Sequence, residues 1–374
     1  MSSILYHSSN PESLQSTYLE YNNVDFTINV GPGRSLLKNT VRLCGNVTVT
    51  SDGSTPTTAG EYWDHKTGAH SFIQSCQTSF SGGPNPGGKE NIDNYARWVA
   101  MNSIGTENED NMLNASKQVE LKAINEKCAE VLALGENTVA SGASSSVFQP
   151  SDFALKPHCI LNRMSGDDLP HEKTGDIRLT FNLNRNIAAL MGPSQTAATT
   201  YQLTNLKVIF QSVPTVGNPM KTATSFRSVY NVKSSIQTSL ASVSVQVPAV
   251  CDAVSISFMR QQDENVPVSS NVQCQKVPGI RDLSFLFNSA NEFITYQIQD
   301  VNEMIHRYID SFENTGENQM MLDTFRGNQG FGVGLQFREL INLSNQKFTM
   351  NVTSNILNNI PMSTFFYFHS ALSI

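Results

Sequence analysis

The sequence predicts an all-β chain built as two consecutive antiparallel β-sandwiches, with a few helices in long connections between strands. Three observations carry this. Apolar and polar residues alternate along much of the chain, Gly/Pro/Asn clusters separate the alternating runs, and the element order of the first half recurs in the second.

The alternation has the period of a strand with one buried face. In TVRLCGNVTVT it puts Val41, Leu43, Val47 and Val49 on one side, and in DIRLTFNLN it does so with Ile177, Leu179, Phe181 and Leu183. Val243, Val245 and Val247 follow, then Val254, Ile256 and Phe258, then Leu283, Phe285 and Phe287. Val333, Leu335 and Phe337 make another set, as do Phe348, Met350 and Val352. TYQLTNLKVIFQSVP and STFFYFHSALSI are aromatic and β-branched throughout and predict strands buried more fully. Turn residues fall between these runs at Gly31-Pro32-Gly33, Gly82 to Gly88, Gly192-Pro193, Gly217-Asn218-Pro219 and Gly327 to Gly330.

Three segments carry helical spacing instead. The first spans about Asn91 to Ser103, with Ile92, Tyr95, Ala96 and Val99 on one face. The second runs from an N-cap at Ser116 through Leu121, Ile124, Cys128, Val131 and Leu132 to Gly135. The third opens on the capping-box-like Asp300-Val301-Asn302-Glu303 and has the stripe Met304, Ile305, Tyr308, Ile309 and Phe312. Each half thus reads strands, helix, strands, and ends on an aromatic-rich strand. Pro214 to Thr224 is the natural linker, which divides the chain into an N-terminal arm (1–22), a first unit (23–214) and a second (215–374). Ser51 to Gly60 and Ser141 to Ser146 are expected to be loops.

Composition narrows the function classes. Of 374 residues only 15% are charged, and the net charge is −7 with no Lys/Arg run, so nucleic-acid binding through a basic patch is not expected. Neutral amides and hydroxyls supply the polarity, which suits surfaces that pack against neighbours, because burying them costs less than burying ions. Cys44, Cys76, Cys128, Cys159, Cys251 and Cys274 form no zinc-type spacing and are expected to be buried thiols. Met1 to Asn10 has no apolar h-region, so no secretory signal is expected, and the sequons at Asn46, Asn114, Asn342 and Asn351 are read as coincidental. No run approaches the roughly 18 apolar residues of a membrane-spanning helix.

The search for chemistry returns no site. There is no G-x-S-x-G elbow, and Gly82 to Gly88 lacks the G-K-[ST] of a phosphate loop and carries two prolines, which have no N–H to offer. Asp64, His65 and His70 have no recognised ligand spacing and are expected on a surface loop. Asp167, Asp168, His171 and Glu172 cluster beside Pro170 and are read as solvated charge at a loop tip, as are Glu107, Glu109 and Asp110. His158 and Cys159 are expected to be a packed pair, not a catalytic dyad. Gly332 and Gly334 in a strand mark a close backbone approach. No catalytic, cofactor-binding or metal residue is assigned, no cofactor is expected, and the chain is not expected to be an enzyme.

A family resemblance enters through four stretches. Val24 to Ile28, followed by Gly33-Arg34-Ser35-Leu36-Leu37 and Val41 to Val49, resembles the opening strands of a first jelly roll. Tyr201 to Val208 with Val213-Pro214 resembles its closing strand, and Ser225 to Tyr230 with Val243 to Pro248 the opening of a second. Phe331 to Phe337 and Phe365 to His369 resemble the last strands. Together they resemble the double jelly-roll major capsid proteins of tailless icosahedral double-stranded DNA viruses, the adenovirus, virophage and tailless-phage lineage. The resemblance implies two eight-stranded jelly rolls. It implies a homotrimer whose six rolls form a pseudo-hexagonal capsomer tiling an icosahedral virion shell assembled in the host cell. The implied partners are neighbouring capsomers, penton and minor capsid proteins, and an internal membrane touched by the N-terminal arm. Three other readings compete: a minor capsid or penton-type protein of the same lineage, a carbohydrate-binding double sandwich, and a glycoside hydrolase, which needs two facing carboxylates.

Overall fold

The computed structural model describes residues 3–50, 62–63, 67–83, 86–102, 151–191, 200–247, 250–266, 271–287, 290–297, 301–313, 331–342, 346–354 and 360–373. The expected helix at Ser116 to Gly135, the loops at 51–60 and 141–146, Asp64, His65, Cys128 and the acidic Glu107, Glu109 and Asp110 lie outside the described residues.

The second half shows the jelly-roll order plainly. Its strands, lettered B to I along the chain, are Thr224–Ile236, Leu240–Gln246, Val250–Arg260, Ile280–Phe287, Ala290–Gln297, Gly332–Asn342, Lys347–Ser354 and Met362–Ser373. Strands B, I, D and G are neighbours in one sheet, and C, H, E and F in the other. The sheets pack face to face through the alternating residues read from the sequence: Val243, Val245, Leu283, Phe285, Phe348, Met350 and Val352 are all buried. Strand I carries aromatic and small residues on both faces because it is covered on both, and Phe366 and Phe368 meet Phe348 edge-on at 6.0 and 5.8 Å.

The first half repeats this order. Asn23–Ile28, Ile177–Leu183, Ile73–Phe80 and Gly87–Asp93 lie side by side as C, H, E and F. Thr200–Pro214 is strand I, flanked by Arg42–Thr50 as D, which pairs in turn with Ser151–Leu155 as G. Strand B corrects the sequence reading. Residues 1–22 are expected from sequence to be an N-terminal arm outside the first roll, yet Leu5–Ser9 runs antiparallel to 208–212 and Thr17–Tyr18 pairs with 203–204. The segment is hard to recognise because only Tyr18 of this broken strand is buried, so LYHSS shows no apolar face.

The helices fall at matching places. Tyr95–Asn102 follows strand F of the first roll, and Val301–Asp310 follows strand F of the second. The first is shorter than expected. Asn91, Ile92 and Asp93 remain in strand register with Gln77, Cys76 and Ser75, and Asn94, at φ 52°, turns the chain into the helix. The second buries Met304, Ile305 and Tyr308 of the expected stripe, and Phe312 just beyond its end. It lies close against strand G because Gly332 and Gly334 have no side chains. A Cβ on Gly334 would stand 2.6 Å from the Arg307 carbonyl oxygen and 2.5 Å from Ser311 Oγ.

The two rolls share a sheet. Strand F of the first lies beside strand B of the second, with one parallel bridge between Asn91 and Tyr230, so that the two four-stranded faces become part of one nine-stranded sheet. Strand I of the first roll ends at Pro214 and strand B of the second begins at Thr224. Substituting Gly334→Ala should push the Val301–Asp310 helix off its strand and cost about 1–3 kcal/mol, as overpacking does. A fall in the denaturant midpoint at unchanged slope checks this.

Candidate functional site

The acidic cluster expected at a loop tip has a structural use. Asp167 Oδ2 accepts from the Ala223 amide at 3.0 Å, Asp168 Oδ1 from the Lys38 amide at 3.1 Å, and Glu172 Oε1 from the Gly33 amide at 2.7 Å. The Gly33 bond holds the Glu172 carboxyl below its usual range. Thr224 Oγ1 donates to the Asp167 carbonyl, and the buried Lys173 donates to the Thr222 carbonyl at 2.6 Å. Asp167 and Glu172 remain exposed, as expected of solvated charge, but the cluster also has a structural role: Asp167 and Lys173 fasten the 215–223 connection to the first roll, and Asp168 and Glu172 tie down the 33–38 segment within it. Each carboxylate serves a different backbone amide, so they do not converge as a general acid and base would. Among the described residues no group of three or more His, Cys, Asp or Glu is arranged to hold a metal ion.

His70 is also placed differently from the surface loop expected, whereas His158 and Cys159 are the packed pair expected. His70 is fully buried, its Nδ1 3.0 Å from the Tyr95 hydroxyl, and burial pushes it well below its ordinary pKa. His158 lies edge-on to it at 5.8 Å, with its amide donating to the same hydroxyl and its own pKa pushed down to about 3 by burial and then by Arg163 and Lys156. Cys159 is buried beside it, and Cys76, against Cys159, has its thiol pushed well up by burial. Such a thiol is poorly suited to be a nucleophile at neutral pH. The five described cysteines form no disulfide.

The densest polar chemistry sits where the rolls meet, and composition and motif reading do not single it out. Glu90, on strand F of the first roll, is fully buried. Its carboxylate forms an ion pair with Arg163 and accepts from the Ile160 amide at 2.7 Å and from the Val229 amide, across the junction, at 3.0 Å. Desolvation dominates over these donors and raises its pKa to about 7. The Arg163 guanidinium stands 5.7 Å from the ring of Trp98, which stacks on Phe312 at 5.8 Å and meets His369 edge-on at 5.3 Å. The F–G connections of the two rolls therefore touch through Trp98 and Phe312. Next to Trp98, Arg97, also buried, donates to the carbonyls of Gln273 and Asn271 at 2.5 and 2.7 Å and lies 4.1 Å from the Phe365 ring. A sequence signal for Glu90 does exist: in GGKENID it occupies the same inward-facing parity as Ile92.

A polar cleft of about 370 Å³ opens beside this junction, between Tyr21, Asn184 and Arg185 of the first roll and Lys233, Glu264 and Asn271 of the second. Lys233 is paired with Glu264 at 2.8 Å. Trp98 is wholly buried, so it offers no platform for a sugar ring.

Buried His369 is 2.9 Å from Ser255 Oγ, and its pKa is pushed down to about 3 by burial. A base depressed in the fold gives stability that is complete above the unfolded value near 6.5 and is lost as pH falls toward 3. His369→Gln should remove roughly 3 kcal/mol of acid sensitivity between pH 7 and pH 4, because the unfolded imidazole takes up a proton there and the folded one does not. Denaturant midpoints measured across that range would show the variant with a flatter profile than the parent.

No protein-family model matches the chain, and no curated protein matches it. Solved structures do. The PBCV-1 virus capsid subunit is 9% identical, with a TM-score of 0.59 over 100% of this chain and 95% of its own. The Faustovirus major capsid protein is 8% identical, with a TM-score of 0.58 over 100% and 90%. The mavirus major capsid protein is 9% identical, with a TM-score of 0.53 over 99% and 90%. At such identities the likeness is one of fold, and it runs end to end: the chain has a double jelly-roll fold like that of these capsid proteins.

Proposed function

We propose that the chain is a major capsid protein that trimerises into pseudo-hexagonal capsomers and tiles an icosahedral virion shell. One observation carries this reading: two jelly rolls are fused side by side through one sheet, over the full length of the chain, as in capsid proteins matched over 90% or more of their own length. Three such subunits place six similar sandwiches around an axis, a shape that packs on a hexagonal lattice.

The surface chemistry agrees with a life among neighbours. Low charge and amide-rich connections let contacts form without desolvating ions. Asp167, Asp168 and Glu90 are each engaged on a backbone amide within the fold. Neighbouring capsomers, penton and minor capsid proteins are the partners this reading assigns, and the virion is its location. An internal membrane is a further partner this reading assigns, met from the N-terminal segment, of which Leu5–Ser9 and Thr17–Tyr18 also build strand B of the first roll.

Native mass spectrometry of the purified protein tests the reading. A species of about 123 kDa, three times the 41.1 kDa chain, or larger shell-like assemblies, is the expected result. A monomer that persists at micromolar to millimolar concentration would overturn it.

A further inference from the structure

The junction inside the chain is made from two sheet edges. Strand F of the first roll, at the end of its C-H-E-F sheet, lies beside strand B of the second, at the end of its B-I-D-G sheet. The same two kinds of edge are left over. Strand F of the second roll, Ala290–Gln297, pairs with strand E alone. Strand B of the first roll, Leu5–Ser9 with Thr17–Tyr18, pairs with strand I alone. Among the described residues no strand of the chain lies on the other side of either. Such an edge presents N–H and C=O groups to any strand that comes alongside.

Resting on the trimeric reading above, we propose that strand F of the second roll seats against strand B of the first roll in a second copy of this chain, repeating between subunits the junction made within one.

Strand B differs between the two rolls in what covers it. In the second roll its Phe226 and Val229 are fully buried, and the cover comes from the first roll. Phe80 stands 5.9 Å from the Phe226 ring, Glu90 accepts from the Val229 amide at 3.0 Å, and the Tyr230 hydroxyl donates to the Lys89 carbonyl at 2.9 Å. Asn94, in the turn that leads from strand F to the following helix, donates to the Asn231 side chain at 2.8 Å. In the first roll the corresponding strand is left bare. Ile4, Leu5 and Tyr6 are consecutive and are 47, 45 and 80% exposed. Tyr6 also borders a groove of about 430 Å³ that is lined by Ile209 of strand I and Arg42 of strand D. Edges meant to stay open are commonly guarded by Lys, by an inward charge or by Pro, and LYHSS carries none of these. The two leftover surfaces are unlike, so the contact between copies is head-to-tail, and such a contact either closes into a ring or runs on as a filament. Six rolls repeating one step close after three copies.

Replacing Tyr6 with the photoreactive p-benzoylphenylalanine reads the neighbour directly, because an aromatic body is kept at an exposed position. Irradiation of the assembled protein should join two chains. Mass spectrometry of the linked peptides should place the attachment in Ala290–Gln297 or in the Val301–Asp310 helix that follows it. A second variant reads the energetics. Tyr6→Glu should raise the dissociation concentration of the trimer by about thirtyfold or more, the weight of an interface anchor. Val216→Glu, at an apolar residue of the 215–223 connection that is 85% exposed, should leave it unchanged. A trimer whose Tyr6 position links to some other segment or to none, or that withstands Tyr6→Glu as it does Val216→Glu, would overturn the proposal while the trimeric reading stands. A parent protein that stays monomeric overturns both.

Discussion

The constraint on which the rest depends is that two sheet edges meet inside one chain. A strand edge carries unpaired N–H and C=O groups, and proteins must cover, charge or pair such edges. Here strand F of the first roll and strand B of the second face one another but share only the Asn91–Tyr230 bridge, since twist carries them apart on either side. A side chain completes the pairing that the backbone does not: the Glu90 carboxylate serves the Val229 amide as a ladder carbonyl would. Arg163 offsets the buried charge, and the aromatic contacts of Trp98, Phe312, His369 and Tyr367 exclude water around it. A buried ion pair contributes little to net stability, so its worth here is one of registration. It fixes which residue of one roll lies opposite which residue of the other.

The outer side of the same junction is fixed by different means. The 215–223 connection has no apolar side chains in the core; Val216 and Met220 are exposed. It is held by Asp167 on Ala223, Thr224 on Asp167 and Lys173 on Thr222, all charge-assisted or hydroxyl bonds to backbone. Gly83 lies so close to the Lys173 carbonyl that a Cβ would stand 1.7 Å from its oxygen, which packs the turn after strand E onto the same point. Two clamps, one buried and one at the surface, set the orientation of the rolls and leave little room for a hinge.

Much of the architecture is legible in the sequence because burial on one face writes itself as alternation. Ile177 to Leu183, Val243 to Val247 and Phe348 to Val352 can be read directly. So can the Val301–Asp310 helix, whose stripe is long enough to establish a period. Strand B of the first roll cannot: LYHSS is short, half-exposed and broken before Thr17–Tyr18, so no period survives. The Asn91 start of the first helix fails because Ile92 and Tyr95 fit a helical spacing as well as they fit the end of a strand and the start of a helix. The junction is illegible for another reason. Glu90, Arg97 and Arg163 are ordinary charged residues until pairing brings them together from distant segments, and nothing local marks them except a charge at an inward position. The acidic run 167–172 misleads in the opposite sense, since a charge-rich turn looks solvated whether or not a backbone amide lies opposite.

Strand order also governs how the molecule can be made. In each roll the strand that emerges last in its half, Thr200–Pro214 or Met362–Ser373, does not settle at the rim but inserts between B and D, which were synthesised long before. Leu5 must wait for Ser212, and Ser225 for Ser373, separations of roughly 150 to 200 residues that place folding among the slow, high contact-order class. Until that insertion, B and D each expose an open edge, so nascent chains are at their most vulnerable to wrong pairing just before completion. The interval is most hazardous where many copies are translated close together, because each open edge can then meet its like before its own last strand arrives.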